Sequence, residues 1–299
     1  MSTDAVLREL LVRQLDHWLP QALQRSRRAT LALAYAESDT PGAEAALRAL
    51  AGFADRLRGR RLTVLVLAAG GAELPARLGA AEAALPADVA MHVVPGHPER
   101  LPVLLKAAGA AGAPLLTVVD GGDPAPAVLA AAASGRPAEL LLVSGSGRPL
   151  RPALTAAGFP LVSEVELVPP GDAPARLLGY ASGSDRGLEA LKDALWAVGA
   201  DAGVRYRDPA GRPVEFTLDP EPGPLRRELL AELARSGPRP VTELRRFAAT
   251  STVYRVADAN RALDSLLASG AVTREPEHGR LGGDVVITAA PAGTAGPAA

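Results

Sequence analysis

The sequence predicts an α/β protein: a doubly wound, mostly parallel sheet through the first 200 or so residues, then a separate and mainly helical C-terminal domain. Three observations predict it. Apolar runs of strand length alternate with Ala/Leu-rich helical segments between residues 30 and 144. The runs are continuously apolar rather than alternating, which implies burial on both faces, as in a parallel sheet covered by helices. Finally, the Pro-rich stretch "DPEPGP" (219–224) marks a change of composition.

From Asp4 to about Gln24, apolar residues including Val6, Leu10, Leu11, Leu15, Trp18, Leu19 and Leu23 recur at helical spacing and make an amphipathic first helix. The strands follow as "TLALAY" (30–35), "LTVLVLA" (62–68), "VAMHVV" (89–94), "PLLTVVD" (114–120) and "AELLLVS" (138–144), with helices at 41–58, 73–84, 98–111 and 125–134 between them. After a helical stretch near 149–157, "VSEVELV" (162–168) and "RLLGYAS" (176–182) stand only the short "PPGDAP" apart, so they are expected to pair as an antiparallel hairpin. Five βα units closed by such a hairpin resemble the Rossmann-like sheet of class I methyltransferases, seven strands with the last antiparallel. A dinucleotide dehydrogenase would need a sixth parallel strand and a glycine fingerprint.

A helix at about 188–198 and a hairpin within 204–218 lead to the linker. Helices at 224–235, 241–249 and 256–269 then precede "AVTREPEHGRLGGDVVITA", which reads as two strands around a Gly-rich loop, so the expected C-terminal domain is a winged helix. The expected boundaries are 1–200 for the Rossmann-like domain, 201–221 for hairpin and linker, 222–289 for the winged helix and 290–299 for a disordered tail.

Composition excludes several functions. There is no cysteine, hence no disulfide framework or thiolate nucleophile, and the four histidines are scattered without metal-ligand spacing, so no metal site is expected. No run is long enough to span a membrane and the charged N-terminus lacks a signal-peptide core, which makes the expected location cytoplasmic, with no membrane partner. A formal net charge of −1 gives no global bias toward nucleic acid. Lys106 and Lys192 are the only lysines among 32 basic residues, the arginine bias of GC-rich coding. No Gly-x-Ser-x-Gly nucleophile elbow or Walker loop is present, and no catalytic residue is assigned. The Gly-rich loops "SGSGRP" (144–149) and "ASGSDRG" (181–187), near Arg148 and Arg186, offer backbone N–H groups to an anion, although both also read as simple turns.

The stretch "GLEALKDALWAVGADAGVRYRD" (187–208), the segment "TSTVYRVADANRALDSLLASGAV" (250–272) and "APLLTVVDGGDP" together resemble the three-Cys-motif partner family, from about Pro98 to Ile287. Members of that family resemble class I S-adenosylmethionine-dependent methyltransferases and tend to be encoded beside a three-Cys-motif protein. The resemblance therefore implies that fold and such a protein partner.

It also implies where a cofactor would sit. Relatives carry a glycine-rich run after the first strand, where the backbone must approach the ligand closely; here the run is "AYAESDTPGA", which keeps only Gly42 beside Tyr35. Thr40 and Pro41 read as helix N-cap and first helical position. Relatives also place an acidic residue at the end of the second strand to accept from the ribose hydroxyls, and Ala68 and Ala69 stand there, with Glu73 already in the next helix. At the end of the fourth strand Asp120 remains, but Gly121-Gly122-Asp123 follows instead of the proline and aromatic that hold a flipped base. Tyr35, Gly42 and Asp120 are thus read as vestigial cofactor-binding positions, and no S-adenosylmethionine binding is expected. An active methyltransferase with a divergent cofactor loop is the alternative.

In the C-terminal domain Arg245, Arg246, Arg255 and Arg261 are expected near the start of the recognition helix, Thr252 and Tyr254 within reach of phosphates, and Arg274 and Arg280 beside the wing. Ten arginines there face nine acids, counting Glu221. A winged helix committed to DNA usually carries a clear basic excess, so the balance favours a protein contact, with a DNA-binding regulator as the other alternative.

Overall fold

The computed structural model describes residues 2–37, 41–70, 73–168, 174–202, 205–207, 213–217 and 219–290. The chain divides into two compact units, Met1–Leu218 and Asp219–Ala299.

The first unit is a mixed α/β structure on a large, mostly parallel sheet. It opens with α1 (Thr3–Arg25), capped by Ser2, whose hydroxyl accepts from the Ala5 N–H at 3.3 Å. The βα alternation follows as β1 (Arg28–Tyr35), α2 (Pro41–Ala51), α3 (Ala54–Leu57), β2 (Arg61–Ala68), α4 (Glu73–Glu82) and β3 (Val89–Pro95). A 3₁₀ turn at Pro98–Arg100 leads into α5 (Leu101–Ala107), β4 (Leu115–Asp120), α6 (Pro126–Ala132), β5 (Ala138–Ser144) and α7 (Arg151–Ala156). The unit ends with β6 (Leu161–Val168), β7 (Arg176–Ser182), α8 (Asp185–Ala202), β8 (Arg205–Arg207) and β9 (Pro213–Glu215).

The strand order is β3-β2-β1-β4-β5-β7-β6-β8-β9. The first five of these run parallel, and β7 lies antiparallel to both β5 and β6. β1, β4 and β5 are buried almost throughout because helices cover both faces. On one face α1 packs against α2 and α8; on the other Ala32, Leu67, Leu140 and Leu142 pack with Leu101, Leu105, Leu129 and Leu154 from α5, α6 and α7.

Two expectations need correction. β3 is not a buried interior strand: every residue of it is at least half-buried to exposed, since it is the sheet edge and has one strand neighbour. Among the described residues the sheet has nine strands rather than seven, because the short β8, expected with β9 as a separate hairpin and linker, pairs onto the outer edge of β6 and β9 pairs with β8. Aromatic packing fixes them there. Trp196 of α8 meets Phe216 edge to face at 5.1 Å and Tyr206 at 6.4 Å, while Tyr206 and Phe216 lie 4.9 Å apart. Gly199 makes room: a Cβ there would stand 2.4 Å from the Phe216 ring. The turn at 169–173 and parts of the linker (203–204, 208–212 and 218) lie outside the described residues.

The second unit comprises α9 (Gly223–Ser236), β10 (Arg239–Pro240), α10 (Val241–Ser251), α11 (Val256–Ala268), β11 (Val272–Glu275) and β12 (Val286–Ala289). Gly237, at φ 76°, ends α9 in a backbone conformation that other residues rarely adopt. The strands form an antiparallel sheet in the order β10-β12-β11, one strand more than the two expected, because Arg239 and Pro240 pair with Ile287 and Val286. Leu225, Leu229, Val241, Leu244, Leu263 and Ile287 form its core. Ala290, assigned to the tail, still donates to Ala271 O at 3.0 Å, and 291–299 lie outside the described residues. No described helix is long and apolar enough to cross a membrane.

Candidate functional site

In an open α/β sheet, ligands bind beyond the carboxyl ends of the strands where the strand order reverses. Here the reversal falls between β1 and β4. A cavity of about 380 Å³ opens at that point, beneath the N-terminal turns of α1. Its floor is a row across the sheet set by register: Tyr35 pairs with Asp120, Asp120 with Val143, and Val143 with Leu178. Leu7, Leu10 and Leu11 of α1 supply an apolar roof, and Asp4, Arg8, Glu37 and Arg176 supply charge.

All three positions read as vestigial cofactor contacts, Tyr35, Gly42 and Asp120, line this cavity. Tyr35 lies over Gly42, where a Cβ would stand 2.6 Å from its hydroxyl, and that hydroxyl is buried without a hydrogen-bond partner among the described residues. Burial, with the neighbouring Asp120 carboxylate, pushes the phenol up. Arg176 bridges Asp120 and Asp4, its Nη1 reaching the Asp4 carboxylate at 3.4 Å. Burial raises Asp120; Arg176 partly offsets this, and Asp4 and Glu37 reinforce it.

Sequence reasoning missed Arg176, Asp4, Arg8 and Glu37. A signal for Arg176 was available: an antiparallel strand inserted beside parallel ones brings its first residue to the carboxyl ends of its neighbours. The contribution of α1 carried no such signal, because nothing in its periodicity says which end of the sheet it crosses.

The residues present do not offer the acidic contact for an adenosyl cofactor that the sequence resemblance implies at the end of β2. β2 ends at Ala68, fully buried and unable to accept from a ribose. The tops of β1 and β4 also stay paired, with Ala36 N donating to Asp120 O at 2.9 Å. Gly121, at φ 115°, lies so close to Ala36 that a Cβ would be 2.4 Å from the Ala36 Cβ. Residues 38–40, which include the expected N-cap Thr40, and residues 71–72 lie outside the described residues.

The two Gly-rich loops already have internal partners. In the first, the Asp123 carboxylate accepts from Ser146 Oγ at 2.6 Å, Ser144 Oγ at 3.4 Å and Arg148 at 3.5 Å, while the Ser146 and Arg148 N–H groups donate to the Ser144 and Ser146 hydroxyls at 3.1 and 3.3 Å. In the second, Ser184 Oγ accepts from the Gly187 N–H at 3.3 Å at the start of α8. Deeper in the unit, Glu139 accepts from Gln14 and Tyr180, each at 2.8 Å, and this buried network ties α1 to β5 and β7. Among the described residues no group of His, Asp and Glu is arranged to hold a metal ion.

In the second unit the structure corrects the expected phosphate contacts. Thr252 and Tyr254 are buried, at 4% exposure each; the Thr252 hydroxyl donates to Ala248 O at 2.6 Å and accepts from the Tyr254 N–H at 3.0 Å. Asp258 of α11 gathers two of the arginines. Arg255 donates to it from Nε and Nη2, both at 2.9 Å, and Arg261 from Nη2 at 2.7 Å; Arg261 also pairs with Asp219. Burial alone would raise Asp258, but hydrogen bonds from Arg255 and Arg261 outweigh it and hold the carboxyl below its usual range. Arg245 donates to Asn260 at 2.7 Å and to Leu281 O, and Arg274 donates to the carbonyls of Pro276, Gly279 and Arg280. Arg246 and Arg280 are exposed, on α10 and in the β11–β12 loop. Four of the six arginines, Arg245, Arg255, Arg261 and Arg274, are therefore engaged by groups of the fold itself.

No family model matches the chain, and no curated protein is similar to it in sequence. Among solved structures, EvdMO1 overlays with a TM-score of 0.36 at 16% identity, covering 60% of this chain and 42% of EvdMO1. The chain thus spans less than half the length of that protein. Sp1610 of Streptococcus pneumoniae, described as a candidate tRNA (m1A22) methyltransferase, overlays with a TM-score of 0.31 at 12% identity, covering 83% of this chain and 97% of Sp1610.

Proposed function

We propose that the chain is a methyltransferase-like scaffold that transfers no methyl group and acts through its C-terminal unit, read as a winged helix, by contacting a protein partner. The resemblance to three-Cys-motif partner proteins makes a three-Cys-motif protein the first partner to test. The strand order, with five parallel strands and an antiparallel β7 inserted before β6, supports the methyltransferase-like reading. The observation that carries the non-catalytic reading is the buried Ala68 at the end of β2, where the resemblance calls for a ribose-binding carboxylate. Ultraviolet cross-linking of labelled S-adenosylmethionine to the purified chain tests it. No specific label is expected, and label chased off by excess unlabelled ligand would contradict the reading.

The internal partners of Arg245, Arg255, Arg261 and Arg274 favour a protein contact over DNA, since each arginine bound within the fold releases fewer counterions on meeting a phosphate. A mobility-shift assay with duplex DNA at low salt should show no shift. Tight, steeply salt-dependent binding lost in the Arg255→Ala, Arg261→Ala double variant would establish the DNA-binding regulator instead. The cavity with Asp120 at its floor favours the other alternative, a methyltransferase with a divergent cofactor loop, and the cross-linking experiment separates that from the scaffold.

A further inference from the structure

We propose that the cavity beneath α1 binds an apolar zwitterion, an α-amino acid with an aliphatic or aromatic side chain. The proposal goes beyond the scaffold reading and does not depend on it. The chamber, at about 380 Å³, lies within the roughly 300–1,000 Å³ typical of small-molecule pockets. Ligand sites of this size are mostly apolar with a few convergent polar groups. Leu11, Val118, Leu141 and Leu178 give such a wall, each nearly fully buried behind the cavity.

The charges at its edge come as two sets. Arg176 is already held between Asp120 and Asp4. Arg8 on α1 and Glu37 just beyond β1 both line the chamber, and neither makes an ion pair with a described residue or with the other. A cation and a carboxylate that are unpaired among the described residues, beside a partly apolar chamber, match a ligand carrying both charges: its carboxylate meets Arg8, and its ammonium meets Glu37 and the excess acid of the Asp4–Arg176–Asp120 bridge. A simple amine or a simple acid would satisfy one of the two and leave the other without a partner.

Isothermal titration of the full chain with L-leucine and L-phenylalanine, beside isoamylamine, isocaproic acid and S-adenosylmethionine, tests this. Saturable heat is expected for at least one of the two amino acids, with the amine and the acid each weaker by roughly tenfold or more, the scale of one lost charged hydrogen bond. Arg8→Gln and Glu37→Gln should each weaken the amino acid by a similar factor. Gly145→Leu should abolish binding with Tm unchanged, because Gly145 lines the chamber and a Cβ there meets no atom within 4 Å. No heat with either amino acid, equal binding of the amine or the acid, or binding indifferent to all three variants would overturn the proposal. Silence from every ligand leaves the scaffold reading standing, whereas binding of S-adenosylmethionine alone contradicts both.

Discussion

Lys192, on the inward side of α8, is fully buried, and burial together with repulsion from Arg151 lowers its ammonium to about 7. Above its ordinary pKa of 10.5 the side chain is neutral folded or unfolded; between about 7 and 10.5 the unfolded chain holds a proton that the folded chain has released. The contribution of this lysine to stability therefore rises with pH across that window. Lys192→Met should flatten the rise, so the Tm difference between variant and parent changes steadily from pH 7 to pH 10. A constant offset would contradict the assignment. Asp258 makes a second residue-scale case. Asp258→Ala removes a buried acceptor of three side-chain hydrogen bonds from Arg255 and Arg261 and should cost roughly 1.5–3 kcal/mol in chemical denaturation. An unchanged unfolding midpoint would refute the ion cluster. Neither feature could be read in the sequence, where Lys192 sits in an ordinary amphipathic pattern and Asp258 counted as an opposing charge rather than as the group that binds two arginines.

Gly199 decides whether β8 and β9 stay on the sheet. Any side chain there must displace Phe216 from Trp196, so Gly199→Val should destabilise by roughly 1–3 kcal/mol, the cost of overpacking a filled core. Trp fluorescence should report it as a changed emission spectrum; parent-like stability and emission would show that the aromatic cluster does not anchor the strands. The helices and parallel strands were legible because apolar periodicity states directly what each element buries. β1, β4 and β5 read as continuous apolar runs and are buried on both faces. β3 has the same composition, yet it is an edge strand, since position within a sheet is settled by pairing and not by the strand's own residues. β8, β9 and β10 are two or three residues each, too short to show a period. Their anchors, Phe216 against Gly199 and Arg239 opposite Ile287, are tertiary.

At the scale of the molecule, the candidate site was half legible. Tyr35, Gly42 and Asp120 were singled out as strand-end positions, and they share one cavity because parallel strands bring their carboxyl ends to one edge of the sheet. Arg176 comes from a strand of opposite direction and Asp4 and Arg8 from the first helix, so their arrival depends on topology and packing together. The arrangement leaves a cavity at the switch point with room for a small molecule, and an alanine rather than an acid at the end of β2, which is what the proposed scaffold reading rests on. Calorimetric titration of the full chain with S-adenosylmethionine tests this most directly. The account predicts no saturable heat up to millimolar ligand, a threshold equivalent to only about 4 kcal/mol of binding free energy; a micromolar dissociation constant, about 8 kcal/mol, would contradict it.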